Sequence, residues 1–314
     1  MQFFHETNIN FVGRNVRRFF VFGSTLITVF GLIMVLVLGF TNKIDYGIDF
    51  TGGTEVALKF NHNISTEQVR ALVEKSGLKS EEVKSFGKEN QFLIRMKDVG
   101  LVSEKLTTLL EKDQQSGSIT ILQIQTIGPK IGAELRFQAI LAVILAVIAI
   151  MIYIGFRFEF IYGLGAIIAL IHDVMFTITI SIIVHKLGLI NLEFNQQILA
   201  ALLTVVGFSV NDTVIIFDRI RENKEKHKGM HFIKLANLSI NETLSRTINT
   251  VLTVVLVLLT MVLFAGPVLQ GFSFVMLVGI IIGTYSSIFI ATIFVIWYQE
   301  HVSKTLVETD LDIK

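Results

Sequence analysis

Long apolar stretches set the architecture of this chain before any motif is considered. Residues 19–42 contain no charged side chain, and residues 137–156 form a second apolar run. Residues 160–184 are interrupted only by His172 and Asp173, and residues 198–217 only by Asp212. Residues 247–265 make a fifth run, and the stretch 268–298 holds a sixth, centred on 272–298. About 20 apolar residues in a helix cross the hydrocarbon core of a bilayer, so each run predicts a membrane-spanning helix. The first run is too long, and starts too far into the chain, for a cleaved signal peptide.

Between the first and second spans the pattern changes. In residues 53–60, Val56, Leu58 and Phe60 alternate with Glu55, Ala57 and Lys59, the period of a half-buried strand. Ser65 and Gln68 have capping-box spacing ahead of a helical stripe at Val69, Leu72 and Val73, with Gly77 as a stop. A short strand is expected over 82–86. Phe92, Ile94 and Met96 mark another strand, Val102, Leu106, Leu109 and Leu110 a second helix closed by Ser116 and Gly117, and 119–127 a last strand. The order β-α-β-β-α-β is that of a ferredoxin-like domain; a different small α+β domain is the alternative. The expected division is therefore an N-terminal segment 1–18, a span 19–42, an exterior domain with linkers 43–136, five spans within 137–298, and a tail 299–314.

Charge orients this plan. Thirteen lysines and arginines, among them Arg14, Arg17, Arg18, Arg157, Arg219, Arg221 and Arg246, fall in the termini and short loops of one side, against Lys186 alone in the short loops of the other. The positive-inside rule then puts both termini in the cytoplasm. Residues 41–136 carry 13 basic and 13 acidic side chains, the balance of an ordinary folded domain. Charged residues are only 17% of the chain and the net charge is +1, which gives no electrostatic case for nucleic acid. No cysteine is present, so disulfides and thiolate chemistry are excluded, and no phosphate-binding G-x-x-x-x-G-K-[ST] loop occurs. No cofactor, metal or enzymatic activity is expected.

Candidate chemistry lies where charge is set in lipid, since a central Asp costs roughly 2.5–3.5 kcal/mol on insertion scales. His172 and Asp173 sit mid-span. Asp212 lies six residues before Asp218, about 9 Å inside the end of its helix, with Arg246 at a depth it can meet. Thr204, Gly207 and Asn211 give the same helix a small, polar face. Two readings stay open: a titrating site that carries ions, and a static hydrogen-bonded clamp between helices. Rows of small residues at every fourth position, Gly165 to Ser181 and Gly279 to Ala291, suit close helix packing.

Three segments carry a resemblance. They are Gly47-Ile48-Asp49-Phe50-Thr51-Gly52-Gly53-Thr54, then Gly207-Phe208-Ser209-Val210-Asn211-Asp212-Thr213-Val214 leading into Phe217-Asp218-Arg219-Ile220-Arg221-Glu222-Asn223, and Leu244-Ser245-Arg246-Thr247-Ile248. Together they resemble the SecF family of protein-export membrane subunits, within the resistance-nodulation-division superfamily. The resemblance spans essentially the whole chain; Phe208 stands where that family commonly has Tyr. It implies a subunit that works with SecD and the SecYEG channel, in the membrane lipid, to move a preprotein outward at the expense of a proton gradient. It also implies that Asp212 and Arg246 belong to the proton path, and that residues 47–54 link the first span to the exterior domain. The glycines there suit either a mobile joint or a tight turn into a strand. A small-molecule exporter of the same superfamily and a passive assembly subunit are the alternative functions.

Overall fold

The computed structural model describes residues 9–41, 43–75, 80–85, 90–96 and 119–301. Among them are six helices long and apolar enough to cross a membrane. They are α1 (Arg14–Phe40), α4 (Pro129–Arg157), α5 (Phe160–Lys186), α6 (Gln196–Lys226), α7 (Phe232–Phe264) and a sixth, composite helix. That last span consists of α8 (Pro267–Ser286), a π-helical turn over Ser287–Ala291, and α9 (Thr292–His301). Two shorter helices, α2 (Ile48–Thr51) and α3 (Thr66–Lys75), lie between the first and second spans.

Several helices outrun their apolar stretches. α7 begins at Phe232, fifteen residues before the run at 247, and α6 continues from 217 to Lys226. The stretch between those two apolar runs, 218–246, is thus mostly helix, reduced to a turn near Gly229. The physical reason is simple: an apolar run marks the part in hydrocarbon, whereas a helix satisfies its own backbone and need not stop at the headgroups. α1 and α4 likewise start five and eight residues ahead of their runs.

Four strands, β1 (Gly53–Phe60), β2 (Ser80–Ser85), β3 (Gln91–Met96) and β4 (Ile119–Ile127), form one antiparallel sheet in the order β2-β3-β1-β4. This is the strand order of a ferredoxin-like sheet. Alternation does what the sequence implies: Val56, Leu58, Phe60, Phe92, Ile94 and Met96 face one side, where Val69 and Val73 of α3 close the core. The capping box forms, with the Ser65 N–H donating to Gln68 Oε1 at 2.9 Å and the Gln68 N–H to Ser65 Oγ at 3.3 Å. The stop at Gly77 and the second helical stripe with Ser116 and Gly117 lie outside the described residues.

Within the bundle the small residues bring backbones together. A Cβ on Gly279 would sit 2.3 Å from Val205 Cγ2, so α8 and α6 pack at a separation that only glycine permits. α5, α6 and α8 thereby enclose the polar residues of the interior.

Candidate functional site

Two buried carboxylates occupy the bundle interior, and they are held differently. Asp173 on α5 has no exposed surface. One of its oxygens meets His172 Nδ1 at 2.9 Å, while the other accepts from Ser209 Oγ of α6 at 2.5 Å and Ser286 Oγ of α8 at 2.7 Å. The Asp212 carboxylate on α6 has one hydrogen bond among the described residues, from Thr284 Oγ1 of α8 at 2.9 Å, and keeps 6% of its surface open. Next to these contacts, Thr213 Oγ1 meets Ser287 Oγ at 3.1 Å. Hydroxyls at 284 and 286, the end of α8, and at 287, the first residue after it, therefore serve both acidic helices from one short stretch.

That stretch runs straight into the π-helical turn, whose widened ring is closed by the Thr292 N–H donating to the Ser287 carbonyl, which also accepts from Thr292 Oγ1 at 2.8 Å. π-turns inside α-helices recur at functional sites because they change the direction of side chains locally. On the far side of His172, its ring lies 6.0 Å from Tyr285, whose hydroxyl meets Ser24 Oγ of α1 at 2.6 Å. Nε2 of His172 is buried and has no hydrogen-bond partner among the described residues.

Arg246 does not close on Asp212 as the sequence suggested. It is exposed on α7, and among the described residues no carboxylate lies within ion-pair distance of it. The reason lies in the helix face: Thr247 and Thr243 turn inward on α7, which leaves Arg246 on the outer side. Asn211 and Gly207 are exposed too, so the polar face expected on α6 is an outer surface beside Asp212. The helix-exit residues are separate from the buried cluster. Asp218 pairs with Arg157 at 2.5 Å and more loosely with Arg221 at 3.8 Å, and Arg219 pairs with Glu242 of α7 at 2.7 Å and Glu222 at 2.6 Å.

Residues 47–54 form a joint. Ile48–Thr51 makes one helical turn, and Gly52 follows at φ +75°, a conformation costly for any residue with a Cβ. Gly53 opens β1. Thr51 Oγ1 bonds back to the Gly47 carbonyl at 3.2 Å, and the Phe50 ring packs 6.0 Å from Phe194. Asp49 is the centre: its Oδ2 accepts the Gln196 N–H at the start of α6 at 3.0 Å, and its Oδ1 accepts from Gln125 of β4 at 3.0 Å. A carboxylate suits a helix N-terminus, where backbone N–H groups lack intrahelical partners and the dipole is positive. The Gly47 N–H to Phe194 and Phe194 N–H to Asp45 bonds, at 3.0 and 2.8 Å, fasten the same loop. In the structure the segment has the geometry of a tight turn into β1.

A charged network that sequence reading missed reinforces the joint. Glu193, 4% exposed, is gripped by Arg95 of β3 and by Lys84 of β2 at 3.3 Å; Arg95 also binds Glu55 at 3.0 Å. Asp45 meets Lys186 at 2.6 Å and His185 Nε2 at 3.2 Å. Because His185 Nδ1 accepts the Leu192 N–H, its neutral ring carries the proton on Nε2, toward Asp45. Burial pushes the Glu55 carboxyl up, and Arg95 only partly offsets it. For Asp45, burial acts upward as well, but the hydrogen bond and charge of Lys186, with Lys84 and His185, hold it below the ordinary range. A carboxylate held low in the folded state stabilises above its unfolded value and loses that contribution as pH falls through the folded one. The thermal midpoint of the wild type should thus exceed that of Asp45→Asn near neutrality, and the gap should close as pH is lowered below about 4. A constant gap across that range would show that Asp45 does not titrate in this contact.

Six spanning helices, a small antiparallel sheet docked on one end, and acidic side chains buried mid-bundle define a polytopic membrane protein with a polar intramembrane centre. Comparison with known proteins gives the family. Residues 106–301 match the profile described as protein export membrane protein SecD/SecF, C-terminal, and residues 37–64 match the SecD/SecF GG motif. A protein translocase subunit SecF from Desulfurispirillum indicum is 39% identical over 82% of this chain and 83% of its own length. Its counterpart from Rhodothermus marinus is 40% identical over 93% and 94%. The crystal structure of SecDF, a translocon-associated membrane protein from Thermus thermophilus, superposes with a TM-score of 0.80 at 34% identity over 94% of this chain. A structure of SecDF in a super-membrane-facing form gives 0.68 at 32% identity over 96%. This chain belongs to the SecF family of SecD/SecF membrane proteins. It spans 39% of the length of the first SecDF chain and 40% of the second.

Proposed function

We propose that this chain is the SecF-type half of a protein-export motor: with a SecD partner it uses the proton gradient to promote passage of polypeptides through a SecYEG channel. Family membership supports the export role. The observation that carries the mechanism is the contrast between the two carboxylates. Asp173, saturated by His172, Ser209 and Ser286, is the fixed clamp on which α5, α6 and α8 close. Asp212, with a single hydroxyl partner and a residual opening beside exposed Asn211, is the group that gains and loses a proton. Both readings of the buried charge are therefore used, one for each Asp.

In this reading the arginine-rich end faces the cytoplasm, both termini with it, and the sheet domain, 43–136, stands outside. One charge crossing the membrane potential yields about 2.3 kcal/mol per 100 mV, enough to bias a two-state packing by somewhat under two decades. Protonation of Asp212 removes its attraction to Arg246 and alters its bond to Thr284, so the α6–α8 contact is what changes. The tie from α6 through Asp49 to β4 carries that change to the exterior domain. The test is preprotein export into membrane vesicles holding this chain and its SecD partner, with matched proton and sodium gradients. Stimulation by the proton gradient alone is expected. Stimulation by sodium alone, or equal export with the chain omitted, would overturn the proposal.

A further inference from the structure

At the arginine-rich end a cleft of about 1800 Å³ opens between the start of α1 and the last turns of α9, with His231 and Ile233 from the start of α7 on its rim. It is larger than the roughly 300–1,000 Å³ of small-molecule pockets. Its walls are apolar, from Phe19 and Phe22 of α1 to Ile293, Phe294 and Trp297 on the other side. Its mouth is cationic. Arg14, Arg17 and Arg18 stand in the first turns of α1, where the helix macrodipole already places positive charge, and the first turn contains no acidic residue. The N-cap, Gly13, supplies no side-chain acceptor to the N–H groups behind it. Glu300 neutralises Arg17 through two bonds of 2.9 and 3.0 Å. Arg14 and Arg18 are exposed and have no ion pair among the described residues. His301, stacked on Trp297 at 5.7 Å, adds a further nitrogen base at the rim.

We propose that this cleft binds one anionic phospholipid, its phosphate against Arg14, Arg18 and the free N–H groups of α1, its acyl chains along Phe22, Phe294 and Trp297. The chemistry is complementary at both ends. A helix N-terminus without a side-chain cap and arginines without an ion pair among the described residues call for a phosphate, and basic pockets between spanning helices take anionic headgroups. A free phosphate would leave the apolar walls in water, so a lipid is the occupant that satisfies the whole cleft. The proposal is independent of proton coupling, since none of these residues touches Asp173 or Asp212.

Native mass spectrometry of the full chain in a neutral detergent tests it, with phosphatidylglycerol and phosphatidylcholine of identical chains supplied in equal amounts. The first bound lipid should be phosphatidylglycerol by at least tenfold, and glycerol phosphate should not displace it. Each basic residue near an anionic surface contributes about fivefold, so Arg14→Gln with Arg18→Gln should cut occupancy about 25-fold. Arg14→Lys with Arg18→Lys keeps the charge and should retain the preference, which separates loss of binding from loss of fold. Equal uptake of the two lipids, or an undiminished preference in the glutamine variant, would overturn the site. So would binding that appears only after residues 302–314 are removed, because the acidic side chains Glu308, Asp310 and Asp312 would then be the occupant.

Discussion

Asp212→Asn should reduce proton-stimulated export to the level seen without a gradient while leaving the complex with SecD intact. The amide preserves shape and still accepts from Thr284 Oγ1, so the single bond seen in the structure survives. What disappears is the ability to exchange a proton. Asp212→Glu restores a carboxylate near the same depth and should recover part of the stimulation. Asp173 should behave in the opposite way. Asp173→Ala strands His172 and Ser209 in the bundle interior, at about 1–3 kcal/mol for each unsatisfied group, while Ser286 keeps the Gly283 carbonyl as acceptor, so the protein should be lost from the membrane or fail to assemble. Asp173→Asn should be milder, because serine hydroxyls can turn to accept as well as donate. Arg246, which acts on Asp212 at a distance and without a bidentate pair, should tolerate Lys and fail with Ala. Export in vesicles, read beside co-purification with SecD, distinguishes these outcomes. An assembled Asp212→Asn protein with normal gradient-driven export would remove Asp212 from the proton path.

Asp49→Ala should separate the sheet domain from the bundle, with export stimulation lost although Asp212 is untouched. Two donors depend on that carboxylate, the Gln196 N–H and Gln125 Nε2. Losing a helix-cap acceptor costs about 1 kcal/mol, and the half-buried Gln125 amide loses its partner as well, at about 1 kcal/mol or less. Asp49→Asn should be intermediate, since an amide offers one oxygen where two are in use. Limited proteolysis between residues 41 and 53, together with thermal unfolding in detergent, measures the joint directly. The expected result is faster cleavage there with little change in the bundle. Unchanged cleavage and full export would mean that the Asp49 contacts are incidental.

Much of this architecture was legible in the order of apolar and polar residues. Each spanning helix left an apolar run, and the alternation at Val56, Leu58 and Phe60 named the buried face of β1 correctly. Helix ends were not legible, because the backbone bonds that continue α7 back to Phe232 are indifferent to hydropathy. Asp173 and Asp212 stood out as charges in apolar sequence. Their partners did not: a serine or threonine in a spanning helix ordinarily bonds a carbonyl one turn back, as Thr284 and Ser286 also do, and only the crossing of α5, α6 and α8 puts the carboxylates within reach of Ser209, Thr284 and Ser286. The G-x-x-x-G at Gly279 and Gly283 hinted at that crossing without saying which helix it meets. Asp49 was visible within its motif, yet its helix-capping role depends on Gln196, 147 residues away. The Glu193 network was hidden for the same reason, as Arg95 and Glu193 are 98 residues apart and each looks like an ordinary surface charge.

The length of α6 gives these contacts leverage. Its 31 residues make a rod of about 46 Å at 1.5 Å per residue, some half again as long as the hydrocarbon core is thick. Asp49 grips one extremity, Asp212 sits about halfway along, and the Arg219–Glu242 pair lies toward the other. A tilt of about 5° pivoting at the Asp49 end sweeps the opposite end through about 4 Å, whereas the same tilt moves Asp212 by about half as much. With the fulcrum moved to the Arg219 end, that larger stroke is delivered to the sheet domain instead. Which extremity is anchored more firmly therefore decides whether a small repacking beside Thr284 is spent among the turns at the Arg219 end or magnified at the sheet domain.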